Sequence, residues 1–207
     1  MAERNPTLVI VAGANGFSKT TITTALQKAY DWTSGLVEIN PKQIAQEEFR
    51  DWNDPSSLLK GANRAEQVRE ECLTARKGLF FKIVLSTPEK VDYIRRAKKA
   101  GYFIPLVYVG TASPAINILR VEWRFSQGGH YVPHEMIEPR YIRSLKLVVD
   151  VARLADRSYF VDNRQDVDEA EGEIDPFTVF RTAEGIVAKS YFPKTNFPQW
   201  SIPIYNA

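Results

Sequence analysis

Residues 7–20 read TLVIVAGANGFSKT, and this stretch decides the fold. Its first six residues are short, mostly aliphatic and β-branched, which suits a buried strand. The next eight, GANGFSKT, follow the pattern G-x-x-x-x-G-K-[ST] at Gly13, Lys19 and Thr20, with Ser18 standing where a second glycine is usual. Helical apolar spacing then runs over Lys19–Tyr30. Strand, glycine-bearing loop and helix in that order wrap successive backbone N–H groups around a phosphate at the positive end of a helix. Gly13, Ala14, Asn15, Gly16, Phe17, Ser18, Lys19, Thr20 and Thr21 are therefore the candidate nucleotide-binding residues. Lys19 is expected to reach the β- and γ-phosphates of ATP, and the Thr20 hydroxyl to ligate Mg²⁺. A serine forced into a left-handed conformation at position 18 costs on the order of 1–2 kcal/mol, tolerable in a stable domain. The plain structural reading is that Gly13 and Gly16 merely turn the chain into a helix, with Lys19 solvated.

Outward from the loop, short apolar runs recur at Leu36–Asn40, Phe80–Ser86, Ile104–Val109 and Tyr159–Asp162. Helix-compatible stretches separate them at Arg64–Arg76, Pro88–Ala100, Pro114–Phe125 and Ile137–Ala155. Alternating strands and helices predict an α/β fold of the P-loop kinase type: a parallel sheet with helices on both faces and ligands at the carboxyl ends of its strands. One domain is expected over residues 1–207. Phe177–Val187 reads as a last hairpin or strand, within an irregular carboxyl-terminal arm from about residue 176 that is rich in proline and aromatic residues. The acidic run DVDEAEGEID (166–175) reads as a solvated connection.

Composition bounds the function. Of the 207 residues, 27 are basic and 25 acidic, a formal net charge of +2, which argues against nucleic-acid or membrane binding by bulk electrostatics. Hydrophobic residues make up 44% of the chain, enough for a packed core. Cys72 is the single cysteine, so no intrachain disulfide exists and a reducing, cytoplasmic location is expected. In RAEQVREECLTARKG it reads as an ordinary helix residue rather than a nucleophile. No apolar run approaches membrane-spanning length.

Beyond the loop, the chain resembles the zeta toxin family of P-loop kinases, the toxin half of epsilon/zeta toxin–antitoxin systems. The resemblance runs from the loop to about Asn163 and is carried by INPKQIA (39–45), KKAGYFIPLVYVG (98–110), AINILRVEWRFSQGGHYVPHEMIEPRYIRSL (115–145) and ADRSYFVDN (155–163). It implies transfer of the ATP γ-phosphoryl group to a hydroxyl of a UDP-activated amino sugar, typically UDP-N-acetylglucosamine, and a cognate antitoxin as partner. The resemblance also implies that Arg120, Arg124 and Arg140 contact phosphates and, with Lys19, carry catalysis; Arg143 follows close behind. Planar guanidinium groups suit a transfer in which charge spreads over equatorial oxygens. Arg120 and Arg124, four residues apart, share one helix face and read alternatively as a salt-bridged surface. His130 reads as a turn-fixing residue and His134 as exposed; neither stands at metal-ligand spacing.

The sequence also departs from the family. The aspartate of the family's N-P-D segment, which takes the acceptor proton, is Lys42 here, and its acidic E-T-T-L-S segment is KIVLS (82–86). Asn40, Lys42, Lys82 and Ser86 are the expected substrate-binding residues. Charged lysine accepts no proton, although the neighbouring cations Lys19 and Lys82 would lower the pKa of Lys42. Glu38, Glu47 and Asp51 are the substitute bases to consider, Glu38 first. Two readings of different class stay open: a working or weakened zeta-like kinase, and a degenerate P-loop protein that binds nucleotide without turnover. A different small-molecule kinase on the same fold is a third.

Overall fold

The structure is a computed structural model, and it describes residues 5–29, 33–49, 54–128, 132–163 and 177–207. Strand β1 (Leu8–Ala12) is buried along its whole length, as a strand covered on both faces must be. It leads through the glycine-bearing loop into α1 (Lys19–Ala29). Then follow β2 (Val37–Ile39), α2 (Pro41–Glu48), α3 (Pro55–Thr74), β3 (Leu79–Ile83), α4 (Pro88–Lys99), β4 (Pro105–Gly110), α5 (Pro114–Ser126), α6 (His134–Leu154) and β5 (Arg157–Asp162). The hairpin β6 (Phe177–Ala183) and β7 (Ile186–Ser190) and the short α7 (Ile202–Tyr205) complete the described chain.

Proline is the first residue of α2, α3, α4 and α5, where its missing N–H costs nothing. Asn40 caps α2 by accepting from the Lys42 N–H, and Asp54 caps α3 by accepting from Ser56 and Ser57. The Asp54–Pro55 start places α3 nine residues ahead of its expected beginning at Arg64. The Asp54 cap is a local signal that the apolar spacing from Arg64 onward does not carry.

The strands form one sheet in the order β2-β3-β1-β4-β5-β6-β7. The first five are parallel, as expected, while β6 and β7 are antiparallel additions. With β1 flanked by β3 and β4, the order reverses at β1, and the crevice outside its carboxyl end is where ligands of such sheets bind. The main core runs from Leu8 to Ile204.

The expectation of an irregular arm from about residue 176 is corrected in part. Residues 177–190 are a regular hairpin, closed by a two-residue turn at Glu184–Gly185 with positive φ at both positions. Only the following segment is irregular, made of two 3₁₀ turns and α7, and it is tied down by aromatic packing. Phe197 stacks on Phe180 at 5.7 Å, and the buried Trp200 donates from Nε1 to Asp162 Oδ1 at 2.7 Å. The acidic run 166–175 lies outside the described residues. Among the described residues no helix is long and apolar enough to cross a membrane.

Candidate active site

The loop leaves β1 at its carboxyl end, and its glycines are there for steric reasons. A Cβ on Gly13, at φ +149°, would sit 2.4 Å from the Phe17 ring and 2.7 Å from the Val109 carbonyl oxygen. On Gly16, at φ +79°, it would lie 2.6 Å from the Asn117 carbonyl oxygen. Ser18 adopts φ +54°, the left-handed conformation expected of that position.

Side chains behind the loop hold it in place. Phe17 is wholly buried and meets Tyr108 and Tyr141 edge-on, with ring centroids 6.3 and 5.8 Å away. It anchors the loop to the core, so its side chain belongs to the scaffold rather than to a ligand contact. Asn163 Nδ2 donates to the Phe17 carbonyl at 3.4 Å. Thr111 Oγ1 donates to Asn117 Oδ1 at 2.7 Å, and Tyr141 Oη to the Thr111 carbonyl at 3.0 Å. This support comes from β4, α5, α6 and β5 together, and the sequence carried no local sign of it.

Cations converge on the front of the loop. Lys19 Nζ folds back to donate to the carbonyls of Gly13 at 3.0 Å and Ala14 at 2.6 Å. Arg120 Nη1 reaches the Gly16 carbonyl at 3.5 Å, and Arg140 Nη1 donates to Asn15 Oδ1 at 3.2 Å. Arg143 Nε donates to the Ser86 carbonyl at 3.2 Å, and Lys90 Nζ donates to the Val84 carbonyl. Among the described residues, no carboxylate forms an ion pair with Lys19, Lys90, Arg124, Arg140 or Arg143. Arg124 Nε is buried without a hydrogen-bond partner there.

These groups disfavour one another's charge. Burial first, then the charges of Arg124 and Lys90, lower Lys19 to about 7. Burial and then Arg140 and Arg69 lower Lys90, and burial and then Arg143 lower Arg140. Burial alone lowers Arg124. Partly desolvated cations that, among the described residues, form no ion pair with a carboxylate, as at Lys19, Arg124 and Arg140, suit an anion.

The predicted positions separate into two sets. Lys19, Arg120, Arg124 and Arg140 come together at the loop. Thr20 is exposed on the first turn of α1, next to Lys19; Thr21 lies on the same turn. The expected acceptor residues are less concentrated. Asn40 spends its side chain capping α2. Lys42, at the second position of α2, is lowered by burial and then by Arg124, so the cation acting on it is Arg124 rather than Lys19 or Lys82. Lys82 pairs with Glu38 at 3.2 Å and lies over the Phe80 ring. Ser86 is buried, and it is its carbonyl that engages Arg143.

Of the substitute bases, Glu38 is thus held by Lys82, and Glu47 accepts from Gln43 at 2.8 Å on the exposed face of α2. Asp51 and His130 lie outside the described residues. His134 sits 3.1 Å from Glu122 on the surface. Cys72 is buried in α3, its thiol pushed up by burial, which matches the ordinary helix residue expected. Reading the sequence missed Lys90: in PEKVDYIRRAKK it looks like any surface lysine of a charged helix.

The zeta toxin family model matches residues 1–170. The chain belongs to the zeta toxin family. A Haemophilus influenzae protein is 23% identical over 137 residues, covering 64% of this chain and 91% of its own length. Among solved structures, a chain of the PezAT chromosomal toxin–antitoxin system of Streptococcus pneumoniae aligns with a TM-score of 0.57 at 17% identity, over 81% of this chain and 72% of that one. The AvrRxo1-ORF1:-ORF2 complex gives a TM-score of 0.65 at 18% identity, over 95% of this chain and 65% of that longer one. The same complex with ATP aligns at 0.54 and 16% identity, over 89% of this chain and 60% of that chain. At these identities the structural likeness establishes the kinase-like zeta toxin fold. The hairpin and arm at 177–207 lie beyond the family match.

Proposed function

We propose that this zeta toxin family member is an ATP-dependent kinase that phosphorylates a sugar hydroxyl of a UDP-activated amino sugar, of the UDP-N-acetylglucosamine type. The observation that carries the reading is the convergence of Lys19, Arg124 and Arg140 on the phosphate loop, none of them in an ion pair with a carboxylate among the described residues, with Lys19 resting on the carbonyls of Gly13 and Ala14. Lys19 exchanges these carbonyls for the β- and γ-phosphates, and bound phosphate restores its charge. Arg120, Arg124 and Arg140 surround the transferring group with guanidinium donors as its charge spreads. In the step itself the acceptor hydroxyl oxygen bonds to the γ-phosphorus while the bond to the β–γ bridging oxygen breaks, releasing ADP, and the hydroxyl proton passes to solvent water. The exposed Thr20 hydroxyl would hold Mg²⁺, which would supply further charge neutralisation at the phosphates; among the described residues no cluster of three or more His, Cys, Asp or Glu is placed to bind a metal by itself.

The test is mass spectrometry of UDP-N-acetylglucosamine incubated with ATP, Mg²⁺ and the protein, beside Lys19→Ala. The reading expects a product heavier by one phosphoryl group that the variant does not make. No product, with ATP binding retained in calorimetry, rejects it.

A second reading, nucleotide binding without turnover, is favoured by one observation. Lys42 stands where a base carboxylate is expected, and Glu38 is engaged by Lys82. Losing a general base costs about 10²–10⁴-fold in rate, so a slow kinase and a pure binder differ in whether any product accumulates. The PezAT toxin–antitoxin system among the structural neighbours supports a cognate antitoxin as partner, and the single buried Cys72 suits a reducing cytoplasmic setting.

A further inference from the structure

The carboxyl-terminal arm lies beyond the family match, yet one of its side chains reaches the strand ends on which the phosphate loop rests. That side chain is the buried Trp200. Its indole is seated against the backbone of Gly110, the last residue of β4, where a Cβ would meet three of the indole carbons at 2.3–2.5 Å.

From the indole, contacts lead to the loop by three routes. Through rings, Trp200 meets Tyr108 with centroids 5.8 Å apart, and Tyr108 meets Phe17 edge-on at 6.3 Å. Through backbone, Gly110 lies between two residues that border the loop. Val109 turns its carbonyl toward Gly13, and Thr111 Oγ1 donates to Asn117 Oδ1, next to the backbone on which Gly16 packs. Through polar groups, Trp200 Nε1 donates to Asp162 Oδ1 at 2.7 Å. The following residue, Asn163, donates its backbone N–H to the Gly110 carbonyl at 2.9 Å and its Nδ2 to the Phe17 carbonyl at 3.4 Å. Gly13, Gly16 and Phe17 fix the path of the loop, so each route ends on the phosphate cradle.

Other side chains of the arm attach it elsewhere. Phe197 stacks on Phe180 at 5.7 Å, and Tyr205 meets both rings edge-on at 5.0 and 5.2 Å. Arg153, in the last turn of α6, donates to the Ala207 carbonyl at 3.0 Å. These contacts bind the arm to β6 and α6, while Trp200 carries it to the ends of β4 and β5.

We infer that Trp200 is a positioning residue for the phosphate loop, and that through it the arm at 191–207 sets nucleotide affinity. A backbone cradle grips phosphate only where its supports are locked, and displacement by about 1 Å is enough to weaken such a site severely. Without the indole, Tyr108 and Asp162 relax into the vacated space, and Phe17 loses the wall that fixes it. The inference rests on the loop holding nucleotide, which the kinase reading and the binder reading share.

Full-length wild type, Trp200→Phe and Trp200→Ala are titrated calorimetrically with a non-hydrolysable ATP analogue, at a temperature where circular dichroism shows each one folded. Asp156→Ala is the control. It removes the acceptor of the Ile104 N–H and the partner of Lys98, so it loosens β4 and β5 at their amino ends, away from the loop. Trp200→Ala is expected to weaken binding about tenfold and Trp200→Phe about fivefold, while Asp156→Ala stays within about twofold of wild type. Trp200→Phe carries the test if the alanine variant does not fold. Because coupling is reciprocal, saturating analogue is also expected to slow amide exchange at residues 199–202 of wild type. The inference is overturned if the folded Trp200 variants bind as tightly as wild type, or if Asp156→Ala weakens binding as much as they do. Exchange at 199–202 that ignores the nucleotide overturns it too. Wild type that binds no analogue rejects it together with both nucleotide readings. Trp200-dependent binding without phosphorylated product upholds it and rejects the kinase.

Discussion

Ser18→Gly tests the strain that the loop carries. Ser18 sits at φ +54°, where a Cβ crowds its own backbone at a cost of about 1–2 kcal/mol. Glycine removes that cost but brings a more flexible unfolded chain, which takes back about 0.5–1 kcal/mol. The net expectation is a gain of about 0.5–1 kcal/mol, equivalent to about 1–4 °C in Tm for a chain of this size. Ser18→Ala separates the causes: it keeps the Cβ and loses only the hydroxyl, so it is expected within about 0.5 kcal/mol of wild type. The assay is thermal unfolding by calorimetry, with urea titration as a check on unchanged m-value. The reasoning is refuted if Ser18→Gly melts at or below wild type. It is refuted equally if Ser18→Ala stabilises as much as glycine does, since the gain would then come from the hydroxyl and not from the backbone.

Three further outcomes follow from the same geometry. Lys19 is lowered to about 7 in the folded chain against 10.5 ordinarily, so the penalty for its charge is fully present below about pH 7 and is relieved as pH rises toward 10.5. Lys19→Met should therefore stabilise the protein most near about pH 6, and its advantage over wild type in urea titrations should shrink by about pH 9; a constant difference contradicts the assignment. Trp200→Phe removes a donor to the fully buried Asp162 and should cost about 1.5–3 kcal/mol, while Trp200→Ala, which also leaves a cavity, should cost about 3–5 kcal/mol. Chemical denaturation checks both, and a loss under about 0.5 kcal/mol for the phenylalanine variant removes the arm's anchoring role. Gly16→Ala forces a Cβ to 2.6 Å from the Asn117 carbonyl at φ +79°, and strain of about 1–2 kcal/mol placed in the bound loop predicts roughly tenfold weaker ATP binding by calorimetry.

Local chemistry made much of this protein legible before any coordinates. The phosphate loop is eight contiguous residues, and the backbone conformation of Ser18 follows from the position it occupies in them. The parallel strands announce themselves because burial on both faces demands unbroken apolar runs such as LVIVA. The caps that start helices at Asn40–Pro41 and Asp54–Pro55 are equally local. Family resemblance located Arg120, Arg124 and Arg140, and the fold brings all three to the loop.

What only the tertiary structure decided are matters of partnership. Asn40 Oδ1 caps a helix, and Lys82 pairs with Glu38 from the neighbouring strand. Lys90 is chemically indistinct in its own helix, and only the fold buries its ammonium against the Val84 carbonyl within electrostatic reach of Lys19 and Arg140. Phe17 serves the core because Tyr108 and Tyr141, far along the chain, close around it. A residue's type and its local conformation are written in the sequence near it. Whether its charge or donor is satisfied depends on groups distant in the chain, and folding alone brings those into contact.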